Sequence, residues 1–320
     1  MAIAKHLSAR QFVSIVLACT LAWLGIGIVS ELSLGTFRPW LQGYRFAGIF
    51  HPNIMGVNCA LLIMASLYLV VVGARLKNGL LHVIAGVTFA FLLLTGSRTA
   101  LGAMLVSIAA LWFITAPASK KLVYLLFPGL VVVFVGVAAG LGAFEDFADV
   151  IAMGRNDSEM SSLTGRVPLW QELLNNYLPL NPLAGHGYGA FWTENHIAEI
   201  SHYQTWAVYH AHSTYIDLVL NVGLIGAALY LTGMVLAFLS ASRLEARHVR
   251  GGYGFVVMMI VYGLTAGLLE SHVGSTWFFS FFGVCGICYL VFRDDRETQS
   301  ASPDTESPRI RAQSFARTAT

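Results

Sequence analysis

The sequence predicts an all-α integral membrane protein of about eight transmembrane helices with one long segment on one side of the membrane. Three observations predict it. The 320 residues are 56% hydrophobic and only 11% charged, where a soluble domain carries about 25% charged residues. Mean hydropathy is +0.67. Apolar runs of about 20 residues, long enough for a ~30 Å hydrocarbon core, recur along the chain between polar turns. Backbone groups in lipid must be satisfied within their own segment, so these runs are predicted as helices and not strands.

The first span is predicted over 12–30. Lys5 and Arg10 precede it, as in a signal peptide. The run is long and no small-x-small cleavage site follows, so it reads as a retained span. The others are predicted over 54–74, 80–96, 99–116, 122–143, 222–241, 253–270 and 274–292, with only Gly96-Ser97-Arg98 between the third and fourth. Residues 1–292 then form one membrane domain, and 293–320 read as a disordered polar tail. Cys19, Cys59, Cys285 and Cys288 all lie in apolar runs and read as small packing residues. Cys285-x-x-Cys288 has no further ligand beside it.

Basic residues set the expected orientation. With the N-terminus inside, only Arg38, Arg45, Arg98, Arg155 and Arg166 fall outside, leaving 14 of the 19 basic residues on the cytoplasmic side. The positive-inside rule selects that arrangement, with both termini inside. The outer surface then holds Arg45, His51 and Asn53 at the mouth of span two, and Ser97 and Arg98 at the next turn. It also holds the segment 145–211, too long for a simple connector, and Glu270, Ser271 and His272 at the last turn.

These residue types suggest two chemistries. All five outer basic residues are arginines, whose planar forks suit phosphate oxygens better than lysine does. A single arginine at a helix mouth is more often a snorkelling side chain. Three of them, Arg45, Arg98 and Arg166, around one histidine-bearing segment favour a fixed anionic site. His210 and His212 stand where the outer segment enters span six, and a neutral imidazole there can accept a proton. Ser213, Asp217 and Asn221 follow at helical spacing; Asp217 could orient the imidazole or cap the helix start. Gly185-His-Gly-Tyr-Gly189 is a weak phosphate-loop signal because no strand precedes it. Its Tyr188 could equally stack on a sugar. Gly223 and Gly226 suggest close helix packing. No GxSxG nucleophile elbow is present, and His210-x-His212 with Asp157-x-Glu159 lacks metal-cage spacing.

In order along the chain, RFAGIFHPN, TGSRTAL, LTGRVPLW, GHGYGAFW and His212-Ser213 followed nine residues later by Gly223-Leu-Ile-Gly226 resemble the O-antigen ligase and polymerase superfamily of bacterial envelope proteins. The later blocks are most similar to its exopolysaccharide polymerase branch. The resemblance covers about residues 44–240. It implies a fold of the type C glycosyltransferase kind and a site at the outer face of the inner membrane. There a glycan would pass from an undecaprenyl-diphosphate carrier to an acceptor, either a glycan or a lipid A-core. It implies no nucleotide sugar, cofactor, metal or nucleic-acid partner, and leaves room for other polysaccharide assembly proteins. It places the essential histidine at His212 and the essential arginines at Arg98 and Arg166. Arg45, His51, Ser213, Tyr188 and His210 are the expected substrate-binding residues. Members often have more spans than the eight predicted here. A flippase for lipid-linked sugars and a non-catalytic envelope-assembly scaffold are the alternative readings.

Overall fold

The computed structural model describes residues 6–73, 77–117, 119, 165–204, 206–271 and 278–300. Nine α-helices order them: α1 (Ala9–Ser33), α2 (Pro52–Val71), α3 (Asn78–Leu94), α4 (Arg98–Thr115), α5 (Arg166–Glu172), α6 (Glu194–Gln204), α7 (Thr214–Arg247), α8 (Tyr253–Ala266) and α9 (Phe278–Ser300). Among the described residues there is no strand. Four helices, α1, α2, α4 and α7, are long and apolar enough to cross a membrane, and α3 and α8 are shorter apolar helices. The predicted span 122–143 and Asp157-x-Glu159 lie outside the described residues, as does His272.

Local chemistry fixes the helix starts. Ser8 and Gln11 form a capping box at α1, satisfying two of the backbone donors that every helix start leaves open. His51 caps α2, where Pro52 needs no backbone partner. Ser97 caps α4. The bundle is built around α2, which is 61% buried, against 22–28% for the other three spans. It packs on α1, α3 and α4; α8 fills the space beside α4 and α7, and α9 lies on α7. Met55, Cys59, Leu62, Met64, Tyr68 and Leu69 of α2 carry the main core.

The two ends of the bundle differ. At one end Arg10 donates to the Gly73 carbonyl, and Arg243 and Arg293 pair with Asp295 and Asp294. At the other end lie the start of α2, the α3–α4 turn, the start of α7 and the end of α8, and with them Arg45, Arg98, Arg166 and His212. The structure thus separates the basic end from the end that bears the candidate site.

Two boundaries differ from expectation. Helix α9 continues to Ser300, so the stretch read as the start of a disordered tail is helical up to there. Span six was predicted to begin at 222, but its helix begins at Thr214 and crosses a break at Gly223, which has φ 67° and ψ −176°. The break has a purpose in the fold. It releases the carbonyls of Leu220 and Asn221, which accept from the N–H groups of His186 and Gly187 at 2.9 and 2.8 Å. On its far side Leu224 and Ile225 donate to the carbonyls of Pro182 and Leu183. The Gly185–Gly189 loop is therefore a plug docked into a broken helix.

Glycine is required on both sides of this joint. A Cβ on Gly185 would lie 2.5 Å from the Asn221 backbone, and one on Gly223 would lie 2.1 Å from the Leu183 oxygen. Left-handed backbone alone costs a side-chain-bearing residue about 1–3 kcal/mol. Gly223→Ala should therefore destabilise the protein by more than about 2 kcal/mol in thermal melts in detergent. Gly233→Ala, in the same helix with nothing within 4 Å, should change stability by less than about 0.5 kcal/mol.

Candidate functional site

The loop between α1 and α2 is anchored by a buried carboxylate. Glu31, near the end of α1, accepts from the Tyr44 hydroxyl at 2.5 Å and from the N–H groups of Ala47 and Gly48 at 2.9 and 2.7 Å. This fixes Arg45 over the α3–α4 turn. Its Nε donates to the Thr95 carbonyl at 2.7 Å and its Nη2 to Asn53 Oδ1 at 2.6 Å. Gly96 lets the guanidinium in, since a Cβ there would meet Arg45 Nε at 3.1 Å.

Asn53 passes the connection on. Its Nδ2 donates to Glu270 Oε1 at 2.8 Å, and Arg166 Nη2 donates to the same oxygen at 3.1 Å. Both side chains of that ion pair are largely buried, at 15% and 12% exposure. Arg166 is delivered by Gly165, whose left-handed backbone (φ 80°) starts α5. The Glu270 carbonyl receives the N–H and the hydroxyl of Thr214, which ties the start of α7 to the end of α8. Burial raises the Glu270 pKa, while Arg166, Asn53 and Arg45 oppose that rise.

These groups border a cleft of about 560 Å³. Ser97, Arg98, Arg166, Asn53 and Glu270 form its polar part, and Ala103, Val106, Leu268 and Leu269 form an apolar wall. Arg98 is the first residue of α4, where the helix dipole adds to its positive field. The cleft can hold an anion at its arginine end and an alkyl chain along its wall.

His212 is not part of this lining, but the charge of Arg166 reaches its ring. It is one of two non-glycine residues with positive φ among the described residues, at 53°, a conformation that persists only when its surroundings enforce it. Its ring lies 4.0 Å from His210 and 5.5 Å from Trp206, between centroids. Its Nδ1 is buried and makes no hydrogen bond. Burial, then the charges of His210, Arg166 and His51, pull its pKa down to about 3. The imidazole is therefore neutral at physiological pH. His51 is likewise pushed down, by burial and then by Arg45.

The structure thus brings Arg98, Arg166 and, through Asn53, Arg45 to one place; His212, stacked on His210, lies in the field of Arg166, and His51 in that of Arg45. Ser213 is buried and its Oγ points to the Gly267 carbonyl at 3.5 Å. Tyr188 is 47% exposed near Cys285 and does not line the arginine cleft. Asp217 does not hold the imidazole. Its Oδ1 accepts from Trp192 Nε1 at 2.8 Å and from the Ala211 N–H at 3.2 Å; it sets the backbone that leads into His212. Glu270 is the residue that sequence reasoning left out of the site. It is visible as an acid at the last helix–helix turn, but its partners are 104 and 217 positions away.

Comparison with known proteins bears on the same stretch. The family described as "O-Antigen ligase" matches residues 83–231, which include Arg98, Arg166 and His212 and leave out Arg45 and His51. A relative in Rhizobium meliloti (strain 1021), "Exopolysaccharide production protein ExoQ", is 32% identical over 173 residues, or 50% of this chain and 38% of that protein. The chain thus matches well under half of that relative's length. The family match and the relative together support an O-antigen ligase/polymerase-like superfamily for this multi-pass helical membrane protein.

Proposed function

We propose that this protein is a membrane glycan transferase that moves a glycan from a polyprenyl diphosphate, undecaprenyl diphosphate by the family resemblance, to an acceptor sugar hydroxyl. The reaction would build a polysaccharide or ligate a finished glycan, at the outer face of the inner membrane and with both termini inside. The observation that carries this reading is a cleft with two arginines and an apolar wall, with a neutral histidine in the field of one of those arginines.

In the proposed step, Arg98 and Arg166 hold the donor's diphosphate and the polyprenyl chain follows the wall of Ala103, Val106 and Leu268. The acceptor oxygen attacks the anomeric carbon as the bond from that carbon to the diphosphate oxygen breaks. Configuration inverts, and the charge on the leaving lipid diphosphate is met by the guanidinium forks. His212 takes the hydroxyl proton and later releases it to water. Its low pKa comes first from burial and then from neighbouring charge, Arg166 included; an arriving diphosphate offsets the second contribution and raises the pKa toward the range of an effective base. Glu270 positions Arg166 and keeps its charge from facing the cleft uncompensated before the donor arrives.

A transport reading would need polar groups along the spans. The buried hydroxyls of Ser66 and Ser107 bond to carbonyls of their own helices, which leaves them poor steps on a path. The polar groups of interest gather at one end of the bundle.

Two measurements test the reading. Reconstituted protein given lipid-diphosphate-linked glycan and acceptor should turn over, and Arg98→Lys, which keeps charge but loses the fork, should lower turnover at least about tenfold with unchanged protein yield. Full activity in that variant would remove Arg98 from the site. The second concerns pH. His212 has a pKa of about 3 in the fold and about 6.5 in an unfolded chain. Between those values the unfolded chain binds the proton and the native protein does not, so stability falls as pH drops from about 6.5. Glu270, raised in the fold, acts in the opposite direction. His212→Gln should therefore lose less melting temperature than wild type between about pH 7 and pH 5. A saturating diphosphate ligand should narrow the wild-type loss.

A further inference from the structure

The outer segment carries a second cleft, of about 580 Å³, between α5 with its continuation and α6. Its lining includes Glu172, Asn176, Tyr177, His196, Glu199 and Tyr203. None of these belongs to the arginine cleft, and the mechanism above uses none of them.

The cleft has a rigid floor. Leu169, Leu173, Phe191 and Ile200 beneath it are fully buried. Tyr177 stacks edge-on against Phe191 and His196, with centroids at 5.4 and 5.3 Å. His196 Nδ1 lies 2.7 Å from the Phe191 carbonyl, which sets its ring plane. The helix that carries Asn176 and Tyr177 changes to a π-turn over Leu173–Tyr177, a rare distortion often found at functional sites. By contrast, Tyr203 is 67% exposed, a large ring at the cleft rim with little packing to explain it. Gln204 hydrogen-bonds Glu172, which holds that carboxylate in place.

The chemistry of this lining is selective. Its described residues include no arginine or lysine, so a phosphate or a uronate would meet two carboxylates with nothing to neutralise it. The same carboxylates accept hydrogen bonds from hydroxyl groups. Asn176 can give and receive them, and the exposed ring of Tyr203 offers a flat face to the C–H side of a pyranose while its hydroxyl stays wet; Tyr177 is buried in the floor and bonds Glu199. We propose that this cleft is a second glycan-binding site, holding an uncharged stretch of the sugar chain on the outer segment at a distance from the diphosphate. The proposal rests on the transferase reading for its biological sense, though not for its geometry.

The test uses the full-length protein in nanodiscs and a panel of uncharged gluco-, galacto- and manno-hexasaccharides, with a sulfated hexasaccharide as the anionic control. At least one uncharged probe should bind and the sulfated one should bind at least tenfold more weakly. Tyr203→Ala and Asn176→Ala, both surface changes, should weaken that binding at least tenfold while binding of lipid-linked diphosphate and the rate of a single transfer stay at wild-type levels. Product chains made by these variants should be shorter. Failure of every uncharged probe to bind wild type, or equal binding by Tyr203→Ala, would overturn the proposal. Sugar binding that depends on Tyr203 in a preparation that transfers no glycan would support the cleft and reject the transferase reading.

Discussion

One buried carboxylate, that of Glu270, holds the arginine-bearing end of the helix bundle together. A single oxygen receives Arg166 from α5 and Asn53 from α2, and Asn53 in turn holds Arg45. The backbone of the same residue fixes the start of α7 through Thr214. Net stabilisation by a buried ion pair is small, because desolvation offsets much of the attraction. Removing one partner is another matter, at about 3–5 kcal/mol, since a charge is then left buried without compensation. The pair is therefore better understood as a device for position than as a source of stability. It brings segments far apart in sequence to one cleft and keeps Arg166 ordered before any anion arrives.

The histidine is positioned by a different route, and that route begins with a broken helix. Gly223 interrupts α7, the freed backbone groups capture the Gly185–Gly189 loop, and that docks the segment between α5 and α6 on the span. One turn earlier, Asp217 and Asn221 are completely buried beneath it. Asp217 grips Trp192 and the backbone of Ala211, so the residue before His212 is fixed from both sides. The strained backbone of His212 and its unbonded Nδ1 are what such a frame can enforce. A free loop would relax out of both.

Much of this was legible in the sequence because it depends on local pattern. Apolar runs marked the apolar helices α1 to α4, α7 and α8, and the reading of arginines at helix mouths picked out Arg45, Arg98 and Arg166. The spacing of Ser213, Asp217 and Asn221 already placed them on one helical face, and that face is buried at 4%, 0% and 0% exposure. What was not legible depends on partners distant in the chain. Gly223 and Gly226 look like any pair of small packing residues until the 182–187 segment is seen lying across the first of them. The GHGYG run resembles a phosphate loop, yet its N–H groups at 186 and 187 are already bonded to α7 carbonyls. Glu270 carries no periodic signal at all. The start of α7 was misjudged because residues 214–221 mix polar and apolar types, and hydropathy alone cannot tell a buried polar helix face from a loop.

If the arginines bind the donor and His212 moves the proton, binding and turnover are separable at one residue. The most direct measurement is reconstitution of His212→Ala with lipid-diphosphate-linked donor and acceptor, following donor binding and product together. A positioned general base contributes about 10²- to 10⁴-fold, or roughly 3–5 kcal/mol at 1.36 kcal/mol per tenfold. The account predicts donor affinity within about twofold of wild type and turnover lowered at least about 10²-fold, with no rescue in His212→Gln. Wild-type turnover by His212→Ala would contradict it.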